Sequence, residues 1–153
     1  MDVRAQDHEV ADALYYLLSL TVRRMPRDIS LTTAATLFNL ERRGPQRITQ
    51  LATLEGVAQP SMTALVTRLE NDGLAERLAD PADGRGVLVV LTDAGERYVT
   101  ARRLAGAANL ATLIAQLSAD EVVTLREALP AIIRLCAIER GDDDAKIGSL
   151  EVP

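Results

Sequence analysis

With 153 residues, 48% of them apolar, the chain has the size of one compact domain and enough apolar material to bury a core, which excludes disorder along its whole length. A single cysteine, Cys136, and a single histidine, His8, cannot assemble the usual nitrogen and sulfur metal clusters or an intrachain disulfide, so no metal and no cofactor is expected. The net charge of −5 argues against a polyanionic partner until its distribution is considered: nine arginines balance nine acidic residues between Leu40 and Arg103, and the acidity belongs to the ends.

The opening MDVRAQDHEV places charges where a secretory signal has its apolar stretch, and no run of about 18 apolar residues follows, so a cytoplasmic protein without a membrane partner is expected. Val10, Ala13, Leu14, Leu17, Leu18, Thr21 and Val22 recur at helical spacing and predict an amphipathic helix from Asp7 to about Met25, ended by Pro26. A second helix is expected from Leu31 to Arg43, with Ser30 or Thr32 as cap and Gly44-Pro45 as stop. Thr49 is read as the cap of a short third helix carrying Leu51, Ala52 and Leu54 and ending at Gly56. Pro60 suits the first position of a fourth helix, which runs to Asp72 and is closed by Gly73.

Leu74 to Ala79 and Val87 to Leu91 read as strands flanking the turn residues Asp80 to Gly86, and this hairpin is the only β-structure expected. Thr92 then caps an alanine-rich helix to about Leu117. The capping box Ser118-Ala119-Asp120-Glu121 opens a last helix to about Arg140, in which Pro130 predicts a kink or a break. The tail from Gly141, with three consecutive aspartates, is expected to fray. The class is therefore mainly α with a small β-hairpin.

On a helical wheel of the fourth helix, Met62, Leu65, Val66 and Leu69 form one apolar stripe and face a core. Pro60, Thr63, Ala64, Thr67, Arg68 and Asn71 point away, with Ser61 at the edge. This outward face is small, polar and nearly free of acid. Short side chains permit close approach to a groove, hydroxyl and amide groups meet phosphate or base edges, and arginine reads guanine. With the short helix before it and the hairpin after it, the segment forms a winged helix-turn-helix, whose second helix, Gln59 to Arg68, enters the major groove. Arg85 near the hairpin tip is placed to enter the minor groove, with Asp83 holding it.

These residues resemble the multiple antibiotic resistance regulator (MarR) family over roughly Leu31 to Asp120. The resemblance is carried by Leu51-Ala52, by Val57-Ala58-Gln59-Pro60-Ser61-Met62-Thr63 and Leu65-Val66-Thr67-Arg68-Leu69-Glu70, and by Gly73-Leu74. It continues through Asp80-Pro81-Ala82-Asp83-Gly84-Arg85 and Leu91-Thr92-Asp93-Ala94-Gly95. The family usually carries an arginine pair after the second wing aspartate; here Gly84 precedes Arg85, so the wing contact rests on Arg85 alone. The resemblance implies a homodimer with interlocking terminal helices that binds a palindromic operator on double-stranded DNA, commonly as a repressor, and is released by a small phenolic or lipophilic effector. The expected division is a DNA-binding region over 30–92, a linking helix over 93–117, and dimerisation through 1–29 and 118–153. The leucine, isoleucine and valine of the terminal helices agree with a dimer.

The candidate DNA contacts are thus Gln59, Pro60, Ser61, Thr63, Thr67 and Arg68 in the recognition helix and Asp83 and Arg85 in the wing, with Arg42 and Arg47 as phosphate contacts. Against these, Arg68 has Asp72 within reach as an i+4 partner, Arg85 has Asp80 and Asp83, and arginines at a helix end complement its dipole. Tyr15, Tyr16 and Phe38 are candidates for an effector pocket or for plain packing. Cys136 on an apolar stripe reads as a small residue of the dimer interface, with redox sensing as the sharper alternative. An enzyme is excluded by the lack of a glycine-rich phosphate loop, of a serine with a usable histidine, and of metal-ligand spacing. The competing functions are a winged-helix module that binds protein, which the acidic ends favour, and a DNA binder without an effector.

Overall fold

The computed structural model describes residues 3–24, 28–84 and 86–140. Their elements are α1 (Val3–Arg24), α2 (Leu31–Arg43), β1 (Gln46–Arg47), α3 (Ile48–Leu54), α4 (Gln59–Asn71), β2 (Ala75–Ala79), β3 (Val87–Leu91), α5 (Asp93–Ile114), α6 (Ala119–Glu127) and α7 (Leu129–Arg140). The chain divides into two compact units between Gly106 and Ala107. The second holds the end of α5 with α6 and α7. The first holds everything before, including a three-stranded antiparallel sheet in the order β1-β3-β2. No helix among the described residues is long and apolar enough to cross a membrane.

The core of the first unit is built chiefly from one stripe each of α2, α3 and α4. Leu37 and Leu40 of α2, Leu51 and Ala52 of α3, and Met62, Leu65, Val66 and Leu69 of α4 close on Ala75, Val89 and Val99. In α4 the buried positions are the four that the wheel assigns inward. Ser30 caps α2 by accepting from the Thr33 backbone N–H at 3.1 Å. The capping box of α6 forms as expected: Glu121 accepts from the Ser118 N–H at 2.8 Å, and the Glu121 carboxyl is held below its usual range by that bond first and by the Ser118 hydroxyl second.

The sequence reading is corrected at three places. The two-residue strand β1, missed because two residues carry no period, pairs with β3 through Gln46↔Val89 and Arg47↔Leu88. Extended backbone therefore runs up to Arg47, and α3 starts at Ile48 with Arg47, not Thr49, at its cap; the Gln50 side chain accepts from the Arg47 N–H at 2.8 Å. Pro60 is the second residue of α4 rather than the first. Of the two outcomes expected at Pro130, the chain takes the break: α6 ends at Glu127 and α7 begins at Leu129, so Pro130 falls in a first turn, where its missing N–H costs no hydrogen bond. The expected stop at Pro26 and the tail after Arg140 lie outside the described residues.

The start of α5 is stitched to the turn that follows α4. Thr92 Oγ1 donates to the Gly73 carbonyl at 2.6 Å and accepts from the Gly95 N–H at 3.1 Å, while the Thr92 N–H donates to the Leu74 carbonyl at 3.2 Å. This brings Gly95 so close that a Cβ built on it would fall 2.0 Å from the Leu74 carbonyl oxygen, a backbone atom with no room to move. Gly84 has open space around it. Gly95→Ala is therefore expected to lower stability by about 2–3 kcal/mol. Gly84→Ala should change it by less than about 0.5 kcal/mol. Chemical denaturation of the two variants makes the comparison, and equal stabilities would refute the close-packing argument.

A second tie joins α5 to the segment before α2. Asp28 accepts from the Tyr98 hydroxyl at 2.5 Å and from Arg102 Nη1 at 2.7 Å. The Tyr98 hydroxyl first, and Arg102 after it, hold the Asp28 carboxyl at about 2, against an ordinary 3.8. Because the folded value is the lower one, the linked stability is present in full above the ordinary value and disappears as the pH falls from 3.8 toward 2. The thermal midpoint of the wild type should thus fall more steeply over that interval than that of Asp28→Asn. Parallel curves would show that Asp28 contributes nothing to the acid limb.

Candidate nucleic-acid interface

The two helices of the motif are joined by a turn that the local sequence dictates. At the end of α3 the Val57 N–H donates back to the Ala52 carbonyl at 3.0 Å and the Gly56 N–H to Thr53 at 3.2 Å, with Gly56 at φ +61°. This left-handed closure satisfies the last carbonyls of α3 and redirects the chain, and it strains any residue with a Cβ. Asn39 Nδ2 donates to Glu55 Oε1 at 2.7 Å and ties the turn to α2. From Ala58 onward α4 runs with its stripe sealed into the core, which fixes what faces outward.

Gln59, Pro60, Ser61, Thr63, Ala64, Thr67, Arg68 and Asn71 are all exposed. Arg68 makes none of the ion pairs found among the described residues, so its guanidinium is not committed to Asp72. The threonines differ from their sequence reading in one respect. Thr63 Oγ1 donates to the Gln59 carbonyl at 2.9 Å and Thr67 Oγ1 to the Thr63 carbonyl at 3.0 Å, so the hydroxyl protons are occupied within the helix. In this conformation Thr63 offers an acceptor oxygen and a methyl group, while the Thr67 oxygen already accepts from Arg77 and chiefly its methyl group remains; these suit base amino groups and thymine methyls better than phosphate.

Two arginines absent from the recognition face, and not recognised from sequence as structural, hold the hairpin. Arg77 of β2 pairs with Glu70 of α4 and donates to Thr67 Oγ1 at 3.2 Å, joining wing strand to recognition helix. Its register opposite the buried Val89 was the available signal: an arginine at an inward strand position needs a carboxylate nearby. Arg47 reaches the other end of the hairpin. Its Nη2 lies 2.6 Å from Asp80 Oδ2 and 3.1 Å from Asp83 Oδ2. Asp80 is 8% exposed, and the Arg47 guanidinium first and the Ala82 N–H second hold its carboxyl below the usual range. The expectation that Asp83 holds Arg85 thus meets an Asp83 already engaged with Arg47, and Arg85 itself lies outside the described residues.

Of the remaining candidates, Arg42 is exposed at the end of α2 with its guanidinium 5.5 Å from the Phe38 ring centre. Tyr15, Tyr16 and Phe38 are 74%, 66% and 43% exposed, and the grooves described on the first unit are lined by other residues, among them Leu40, Val90, Glu96 and Thr100. Cys136 is exposed on α7.

Helix, left-handed turn, second helix and hairpin, tied together in this order, define a winged helix-turn-helix protein. Residues 29–87 match the sequence profile of the MarR family. Over 127 residues the chain is 34% identical to an uncharacterized HTH-type transcriptional regulator of Mycobacterium bovis, covering 77% of this chain and 89% of that protein. Among solved structures, RV1404 from Mycobacterium tuberculosis superposes with a TM-score of 0.70 at 26% identity, over 95% of this chain and 99% of that one. The apo form of wild-type MarR from Escherichia coli gives 0.57 at 28% identity, over 86% and 97%. The chain belongs to the MarR family of helix-turn-helix transcriptional regulators.

Proposed function

We propose that this regulator acts as a homodimeric repressor, binding a palindromic operator and leaving it when a small lipophilic or phenolic effector binds. The observation that carries the DNA part is the outward face of α4. Its exposed side chains from Gln59 to Arg68 are small or polar and include no acid, and the stripe that opposes them is buried, so this face cannot rotate away. Gln59, Pro60, Ser61, Thr63, Thr67 and Arg68 then meet the major groove, with Arg85 and the wing on the minor groove and Arg42 toward the backbone. The repressor and effector parts rest on the family resemblance.

The dimer is supported by apolar side chains left uncovered in each unit. Leu17, Leu18 and Val22 are exposed on α1, and Leu129, Leu135 and Ile138 on α7. A second copy that covers them accounts for residues that a monomer would hold in water at a cost. The division of labour is then 30–92 for DNA, 93–117 as link and the terminal segments for dimerisation. Leu18→Asp combined with Ile138→Asp should shift the protein to monomer in sedimentation velocity and abolish tight operator binding; a dimer persisting in the double variant would overturn this assignment.

The DNA reading is tested by enriching a duplex from a randomised library with the wild-type protein and measuring affinity against salt. Binding should weaken steeply as salt rises, and Arg68→Ala and Arg85→Ala should each cost about 1–3 kcal/mol, a phosphate contact also lowering the salt slope by about 1. Unchanged affinity in both variants would sink the site assignment. Adding a panel of phenols to the same complex reads the effector part directly as release.

A further inference from the structure

Arg47 was grouped by sequence with the phosphate contacts, yet its side chain is turned along the protein. Nε and Nη2 both donate to Asp80 Oδ2, at 3.1 and 2.6 Å, and Nη2 also donates to Asp83 Oδ2 at 3.1 Å. The backbone of Arg47 pairs with Leu88 of β3 and caps α3, so this one residue joins the first helix of the motif to the wing.

We propose that Arg47 is the positioning residue of the wing: its guanidinium grips Asp80 and Asp83 across the hairpin loop and sets the loop's presentation to DNA, without itself taking a phosphate. The inference rests on the DNA reading above for its functional half. Its structural half stands on the loop. Asp80 Oδ1 accepts from the Ala82 N–H at 2.9 Å while Oδ2 takes the guanidinium, so the nearly buried carboxylate uses both oxygens. The backbone closes around it, the Asp80 N–H donating to Gly86 at 2.9 Å and the Gly86 N–H to Asp83 at 2.7 Å. Gly86 leaves the space the grip requires: a Cβ there would stand 2.9 Å from Asp80 Cβ and 3.1 Å from Arg47 Nη2. To reach a phosphate, Arg47 would have to abandon a carboxylate that is 8% exposed and leave it buried without its cation, which is the costly way to break such a pair. The Arg47 guanidinium is also shifted up, first by its bond to Asp80, in keeping with a cation held by its own chain.

The two roles predict opposite signs for one substitution. Asp80→Asn removes a negative charge beside DNA and frees Arg47; a phosphate-binding Arg47 would then bind the enriched duplex more tightly. A positioning Arg47 loses its anchor, and affinity falls about tenfold. Arg47→Lys keeps the charge but not the planar fork, so a phosphate contact stays near wild type while the grip fails with a similar tenfold loss. The double variant should be no more than about threefold weaker than either single one, because both break the same contact. In the absence of DNA, the amides of Ala82, Asp83 and Gly86 should exchange hydrogen faster in both variants. If either variant loses the wild-type circular dichroism, Asp83→Asn takes its place, breaking the exposed half of the grip with a loss of about threefold. Tighter or unchanged binding by Asp80→Asn, wild-type affinity in Arg47→Lys, or unaltered exchange would each overturn the proposal. A wild-type protein that enriches no duplex overturns the DNA reading instead, and the exchange measurement still decides whether Arg47 orders the loop.

Discussion

The burial of one stripe of α4 is the constraint on which the rest of the first unit depends. Met62, Leu65, Val66 and Leu69 are all at or below 5% exposure and touch a core to which α2, α3, the sheet and α5 each contribute. Each such side chain contributes about 1.5–3 kcal/mol through burial, so turning the helix by even one position exposes apolar surface and buries polar surface at prohibitive cost. The outward face is thereby fixed by what lies behind it rather than by its own few side-chain bonds. Ser61, Thr63, Thr67 and Arg68 need only be small or polar enough to stand in solvent, and they are presented rigidly because of what lies behind them.

The wing is held by a different kind of force. Two-stranded ribbons are marginal alone, and β2 with β3 buries little beyond Ala75 and Val89. Two arginines tie it to its surroundings, Arg77 to Glu70 of α4 and Arg47 to Asp80 and Asp83. Solvent-facing ion pairs contribute little to global stability, but charge-assisted bonds with defined geometry select one orientation among several of similar energy. Their value here is directional. They tie the hairpin to α3 and α4, which on the proposed function matters for a surface that has to match two grooves of a duplex at once.

Much of this was legible in the sequence because it is local. The face of α4 follows from the helical period of its apolar residues, the caps at Ser30 and Ser118 from side chains three residues from their targets, and the hairpin from a dense cluster of turn residues. What escaped is non-local or too short to carry a period. β1 exists only because β3, far along the chain, offers it an edge; with β1 unseen, Thr49 looked a better cap than Arg47. Arg47 meets Asp80 across 33 positions, a pairing that no periodicity encodes, so its charge read as surface charge available to DNA. Pro130 left kink and break open because both relieve the same missing N–H, and local sequence alone does not choose between them; the chain takes the break.

The pairing of charges also bears on how an acidic protein addresses a polyanion. Glu70, Asp80 and Asp83 are acids that flank the recognition helix and the wing tip, and each is joined to an arginine of its own chain. At physiological salt a charge is screened beyond roughly 8 Å, so a groove-facing surface responds to its own neighbourhood rather than to the total of −5. The net acidity still acts on non-specific binding, which draws essentially all its affinity from phosphate neutralisation. Contacts that read base edges are less sensitive to it. On the proposed function, the acidic balance lowers background adhesion to DNA more than it lowers operator affinity, and specificity rises without any added contact.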